Sequence, residues 1–287
     1  MALLGLDGPP RRRDGWLAAG LGLTSAAAHL LPGIVFGHDT LDHLWGAWAW
    51  LQAWTSGDLF PLWLHQVGAG LPQPQFYGPL AYWAMAPLAL LGLGAPSALS
   101  GSLALAGAVS GLSAWGAVAN WTRDRRAALL AALAWSYAPY RLLDANYRGA
   151  LGETWALALL PWVVLAFERV ATRPGHRRIR SAAFAVALVA LAHPLSLVLL
   201  AALIPVLTAL AAEPWRRGAR QLARAWTRAA ASALAGFGLA AFFLVPLVVG
   251  LGSIDLDAGT RAPWAPRYRA EGIHPAQLLE RRGWSEL

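Results

Sequence analysis

Residues 97–119 read SALSGSLALAGAVSGLSAWGAVA, an uncharged run that stops just before Arg123-Asp124-Arg125-Arg126. As a helix rising about 1.5 Å per residue, such a run covers the roughly 30 Å hydrocarbon core of a bilayer. Arginine-rich flanks stay in the cytoplasm, so the segment reads as a span running inward. Gly107 and Gly111 form a GxxxG pair, which lets a second helix approach closely.

The rest of the chain agrees with this start. Of its 287 residues, 57% are hydrophobic and 13% charged, against about 25% charged in a soluble domain. The net charge of +8 comes from 23 basic residues, all arginine, most of them in short clusters between apolar runs. That is the pattern of cytoplasmic loops and excludes a nucleic-acid-binding face. With no cysteine, disulfides, thiolate metal sites and cysteine nucleophiles are excluded. Arg11 to Arg13, an apolar run and the small residues Ser25 to Ala28 follow the order of a cleavable signal peptide. The apolar run continues to Phe36, so it reads as an uncleaved first span.

Placing the clusters at 11–13, 123–126, 173–180 and 216–228 in the cytoplasm yields a topology. Spans are expected at 16–36, 97–119, 127–143, 154–169 and 229–251. Residues 181–212 form a hairpin bent at His193-Pro194, because proline disfavours helix at the residue before it. Its short arms put the bend below the outer surface. The fold class is thus an all-α polytopic membrane protein of about seven spans. Residues 80–94 are too short to cross and carry Pro87, so they read as a re-entrant or interfacial helix. The transmembrane domain covers 1–252, with outer loops at 37–96 and 144–153, and 253–287 begin a polar outer tail. The expected location is the inner (plasma) membrane, with the N-terminus cytoplasmic and the bilayer as a partner.

Two polar stretches then emerge on one outer face and offer Asp39, Asp42, His43, Asp144, Arg148 and Glu153. If a helix starts at Asp39, then Asp39, Asp42, His43 and Gly46 share a face turned toward a cavity. Trp45, Trp48 and Trp54 would lie on other faces, at the membrane interface. Each residue also has a plainer reading. Asp39 suits a helix N-cap, Asp42 and His43 suit a solvated loop, and Glu153 suits a helix dipole. Arg148 suits a lipid phosphate. Asp-x-x-Asp-His is also able to hold a divalent cation.

HDTLDHLWGAW, GDLFPLW, QPQFYGPLAYW and SYAPYRLLDANYRGALGETWALALLPW resemble membrane proteins labelled as related to 6-pyruvoyl-tetrahydropterin synthase, and more loosely the YfhO-like proteins. Nothing in them resembles the soluble pterin enzyme or its zinc site. The family's Asp-Thr-x-x-His element falls on Asp39, Thr40 and His43. Its Phe-Tyr-x-Pro-Leu element falls on Phe76, Tyr77, Pro79 and Leu80. A Tyr-x-Arg-Gly-x-x-x-Glu-like element is approximated by Tyr147, Arg148, Gly149 and Glu153. These families are similar to C-type membrane glycosyltransferases of the cell envelope. The resemblance implies sugar transfer from a polyprenyl-phosphate donor at the outer face. Asp39, His43 and Glu153 would then be catalytic, and Asp42, Tyr77, Tyr147 and Arg148 would bind substrate. The chain is shorter than the family's usual length, so a truncated, non-catalytic scaffold is a further reading. A transporter or flippase of lipid-linked substrates is the main alternative.

Overall fold

The computed structural model describes residues 8–31, 37–61, 63–65 and 72–253. Every regular element among them is helical. The chain divides into two compact units, Met1–Leu247 and Val248–Leu287. Of the second, only 248–253 are described; the rest of the expected outer tail lies outside the described residues, as do 32–36 of the expected first span.

In chain order the helices begin with α1 (Arg12–Ser25) and α2 (Thr40–Thr55), followed by the short α3 (Gln73–Phe76), α4 (Leu80–Trp83) and α5 (Ala86–Leu90). Next come α6 (Ala95–Thr122), α7 (Arg125–Ser136), the one-turn α8 (Pro139–Leu142) and a π-helical turn at Leu143–Arg148. The remaining helices are α9 (Leu151–Thr172), α10 (His176–Ala192), α11 (Ser196–Ala212), α12 (Pro214–Arg217), α13 (Ala219–Leu239) and α14 (Ala241–Gly250).

Among the described residues, α6, α9 and the run Ser196–Arg217 are long and apolar enough to cross a membrane. A fourth candidate arises if α13 and its continuation, bent by 77° at Ala240, count together. Two expected spans are interrupted. Helix α1 ends at Ser25, where the Thr24 and Ser25 hydroxyls bond back to the Leu21 and Gly22 carbonyls. After α7, the chain leaves helical geometry at Ala138 (ψ 130), because Pro139 crowds an α-helical residue before it.

The GxxxG pair works as expected, and its partner is α1. A Cβ on Gly107 would fall 2.7 Å from the Gly22 carbonyl oxygen, so only glycine allows this approach. Residues 80–90 form two short apolar helices, about 16 Å in all, too short to cross. They are fastened inside the bundle. Tyr82 stacks on Trp50 with ring centroids 5.4 Å apart, the Ser102 hydroxyl donates to the Ala81 carbonyl, and the Trp155 indole donates to Ser102. The core built around this lock includes Met85, Leu99, Leu151, Val163 and Phe167.

The arginine clusters gather at one end. Arg125 pairs with buried Asp14 at 2.8 Å, linking α7 to α1. Arg169 donates to Asn120 of α6 at 2.7 Å, and both Gln221 and Arg228 of α13 donate to the Ala171 carbonyl. Residues 37–43, the π-turn and the His193-Pro194 break lie at the opposite end. His193 is within reach of the Glu153 and Arg148 charges, so the hairpin break adjoins the acidic cluster.

Candidate functional site at the acidic end

The two polar stretches meet through their backbones. The His38 N–H donates to the Tyr147 carbonyl at 3.2 Å, and the Asp39 N–H to the Arg148 carbonyl at 2.8 Å. Gly37 allows this contact, because a Cβ there would fall 2.7 Å from the Arg148 carbonyl carbon. Gly149 at φ 69 takes a left-handed conformation beside the Thr40 hydroxyl, which a side chain would strain. The His38 and Tyr147 rings also touch, with centroids 4.9 Å apart.

Arg148 organises the charges. Its Nη1 donates to Asp144 Oδ1 at 2.8 Å, to Glu153 Oε2 at 2.7 Å and, more weakly, to the Tyr140 hydroxyl at 3.3 Å. Tyr140 in turn donates to Glu153 Oε1 at 2.6 Å, and Thr154 to Asp144 Oδ2 at 3.2 Å. The π-turn puts Asp144 and Arg148 on one side and buries Asp144 completely; such turns recur at functional sites. Burial, followed by the charge of Glu153, pushes the Asp144 carboxyl up to about 7 despite the opposing pull of Arg148. Burial opposes the charge on Arg148, but the Glu153 bond and both carboxylates outweigh it and raise the guanidinium above its ordinary value. All these bonds use Nη1. Nη2 and Nε have no partner among the described residues, on a side chain that is 38% exposed.

His43 is a buried strut. Its Nε2 accepts from the Leu151 N–H at 3.3 Å and contacts the Tyr77 hydroxyl at 3.1 Å, while Nδ1 lies 3.4 Å from the Tyr82 hydroxyl. Because a backbone N–H points at Nε2, the ring is neutral, with its proton on Nδ1. Burial lowers its pKa to about 4. The Tyr77 hydroxyl is raised by burial first, then by Asp39. Arg148, Asp144 and Asp42 act on it as well, so this hydroxyl sits within the field of the whole cluster.

The expected residues are therefore sorted by position. Asp39, Tyr77, Tyr147, Arg148 and Glu153 lie together. Asp39 occupies the N-cap position of α2, but its side chain caps nothing, and its carboxylate has no hydrogen-bond partner among the described residues. The shared face expected for Asp39, Asp42, His43 and Gly46 needs correction. The buried stripe is Thr40, His43, Gly46, Ala47 and Trp50, and Asp42 is exposed. Asp42 falls about 100° round from His43, off the buried stripe. Trp45 and Trp48 face outward as expected, but Trp54 packs against the core beside the Trp50 ring. No hydrogen bond joins His43 to the Asp39 side chain.

A divalent cation does not fit Asp39-x-x-Asp42-His43, because both His43 nitrogens are engaged inside the protein and Asp42 points away. Among the described residues, no three His, Asp or Glu side chains form a metal cluster. Sequence reasoning places Asp144 in the outer polar stretch without assigning it a role, and does not single out Tyr82, Tyr140 or Thr154. Only Asp144 carries a sequence signal, its i, i+4 spacing to Arg148.

No curated protein and no solved structure matches the chain. The family described as 6-pyruvoyl-tetrahydropterin synthase related domain, a membrane protein, matches residues 74–262. That segment holds Tyr77, the π-turn, Arg148, Glu153 and all the candidate spans found among the described residues. By this match, over more than half its length, the chain belongs to the family of membrane proteins with the 6-pyruvoyl-tetrahydropterin synthase related domain.

Proposed function

We propose that the acidic end transfers a sugar from a polyprenyl-phosphate donor to an acceptor hydroxyl. The observation that carries this reading is Asp39, a carboxylate without a hydrogen-bond partner among the described residues, whose backbone N–H bonds the Arg148 carbonyl and whose charge acts on the Tyr77 hydroxyl together with that of Arg148. Glu153 and Asp144 are already bonded to Arg148, which leaves Asp39 as the free base. The acceptor O–H gives its proton to Asp39, and its oxygen forms a bond to the anomeric carbon. The bond from that carbon to the phosphate oxygen breaks, and the phosphate leaves with its charge held by Nη2 and Nε of Arg148. Tyr77 lines the site, and Glu153 positions Arg148. An apolar cavity of about 930 Å³ beside Trp54, Phe60, Trp83 and Phe242 suits an isoprenoid chain.

A seven-crossing arrangement resembling the C-type glycosyltransferase fold belongs to this proposal, with α1, α7 and α10 as shorter crossings. The arginine end then faces the cytoplasm, with the N-terminus, and the acidic end lies outside the plasma membrane. A proton-coupled transporter is the second reading, favoured by one observation: Asp144 is buried, paired with an arginine and raised to about 7.

Asp39→Asn tests the first reading. It keeps size and polarity but removes the base, and should cut sugar transfer in membranes by about 10²–10⁴ at unchanged protein level. Wild-type transfer by that variant would end the assignment.

A further inference from the structure

The opposite end holds a second site. Asn120 of α6, Arg169 of α9, Arg173 just after it, and Arg177, Arg178 and Ser181 of α10 line a cavity of about 370 Å³, within the size range of small-ligand pockets. Its lining contains four guanidinium groups and no carboxylate. Two of the four are aimed by the protein. Arg169 Nη2 donates to Asn120 Oδ1 at 2.7 Å, and Arg178 Nη1 donates to the Pro174 carbonyl at 2.8 Å. The other two, Arg173 and Arg177, are exposed and have no partner among the described residues. Glu168 is next to Arg169 in sequence but takes the Thr172 hydroxyl and does not line the cavity.

Three features of this arrangement favour an anion. Four like charges around one cavity repel one another, and a bound anion removes that cost. Arg169 lies in the last turn of α9 and Arg173 just past its end, while Arg177 and Ser181 are one turn apart on α10, so the end of one helix and the start of the next converge. The 17-residue helix α10 begins at His176, and its N-terminal dipole adds positive potential there. Planar guanidinium forks match phosphate oxygens. Gly175, at φ 148, makes the tight turn that brings the two arginine pairs together.

We propose that this cavity binds a phosphate group. The group comes either from an anionic lipid headgroup, since basic pockets between helices at this membrane face take such headgroups, or from a soluble phosphate ester. The site is independent of the transfer reaction at the other end.

The test uses the full-length chain. Binding is measured for three probes: inorganic phosphate, soluble glycerol phosphate, and phosphatidylglycerol in phosphatidylcholine nanodiscs. The double variant Arg173→Gln/Arg177→Gln should keep the ligand-free melting temperature, because both side chains are exposed. It should weaken binding by roughly tenfold or more per guanidinium removed. The control Arg216→Gln/Arg217→Gln removes the same charge outside the cavity and should bind as wild type does. Preference for the nanodisc probe assigns a headgroup, and comparable binding of glycerol phosphate assigns a soluble ester. Absence of binding by all three probes overturns the proposal. So does unchanged binding by the first double variant, or equal loss in the control.

Discussion

Arg148 at one end of the bundle holds two carboxylates, whereas Arg173 and Arg177 at the other end hold none. Both ends have arginines near helix termini, and composition does not distinguish them. The difference lies in what folding brings alongside. At the acidic end, Asp144, Glu153 and Tyr140 absorb one face of the guanidinium and leave Nη2 and Nε open in a fixed direction. Around the cavity at the arginine end, Arg173 and Arg177 are left uncompensated. A fixed, half-neutralised arginine suits a reaction in which charge develops at one place. An uncompensated cluster suits holding an anion.

The sharpest way to break this comparison is to remove Arg148. Arg148→Leu should leave Asp144 and Glu153 facing each other without a cation, and transfer should fall by about 10²–10³, as when a charge-stabilising donor is lost. Arg148→Lys should recover only part of that. An ammonium keeps the charge but lacks the planar fork that holds two carboxylates and still presents open donors. Full activity in the lysine variant would mean that the geometry of Arg148 is unimportant and that its charge alone suffices.

Next in size is a packing change that disturbs the acidic end and spares the other. A Cβ on Gly152 would fall 2.6 Å from the Ala192 carbonyl oxygen, at the hairpin break. Gly152→Val should force α9 away from that break and cost about 1–3 kcal/mol, typical of overpacking. Thermal unfolding in detergent would read the loss. A variant as stable as wild type would show that α9 and the hairpin break are not in close contact.

Much of this arrangement is legible in the sequence. The arginine clusters sort the chain into two ends, proline at 194 marks the hairpin break, and Gly107 with Gly111 marks a close helix contact. The meeting of 37–43 with 144–153 follows from the same charge rule. The roles of individual acids are not legible. Asp42 and Asp144 both lie within four residues of a basic or imidazole side chain, yet one is exposed and the other fully buried. The packing of the His43 face of α2 against Tyr77, Tyr82 and Leu151 decides the first, and a π-turn decides the second, and neither has a clear sequence signature. The same limit applies to His43. Its spacing to Asp39 suggests an orienting partner, while its actual partners, Tyr77, Tyr82 and the Leu151 N–H, come from 34 or more residues away. The interrupted first span was missed because its composition stays apolar through the break at Ser25.

Asp144 gives a pH-dependent contrast between the ends. Its carboxyl is raised from 3.8 to about 7 in the folded protein, so the folded state binds the proton more tightly. The stability this contributes is complete below about pH 4 and is lost as pH rises through about 7, with a limiting slope of about 1.4 kcal/mol per pH unit. Asp144→Asn should flatten the fall in melting temperature between pH 5 and pH 8. Equal slopes in wild type and variant would mean that Asp144 is already ionised at pH 5.

The smallest effect is expected at Asp42. It lies three residues from Asp39 and in the family-like element, so sequence reasoning counted it with the substrate-binding residues. In the structure it is exposed on the outer side of α2, and its charge is the last of the four that act on the Tyr77 hydroxyl. An exposed charge at that range is screened by solvent and salt. Asp42→Asn should therefore shift stability by no more than about 0.5 kcal/mol and leave transfer within a few-fold of wild type. The comparison with Asp39→Asn, in the same membranes and at matched protein level, isolates position from charge, because both variants remove one carboxylate from one helix start. A loss at Asp42 as large as that at Asp39 would mean that the outer face of α2 takes part in the site. The reacting centre would then have to be moved from the Tyr77 side of the helix toward solvent.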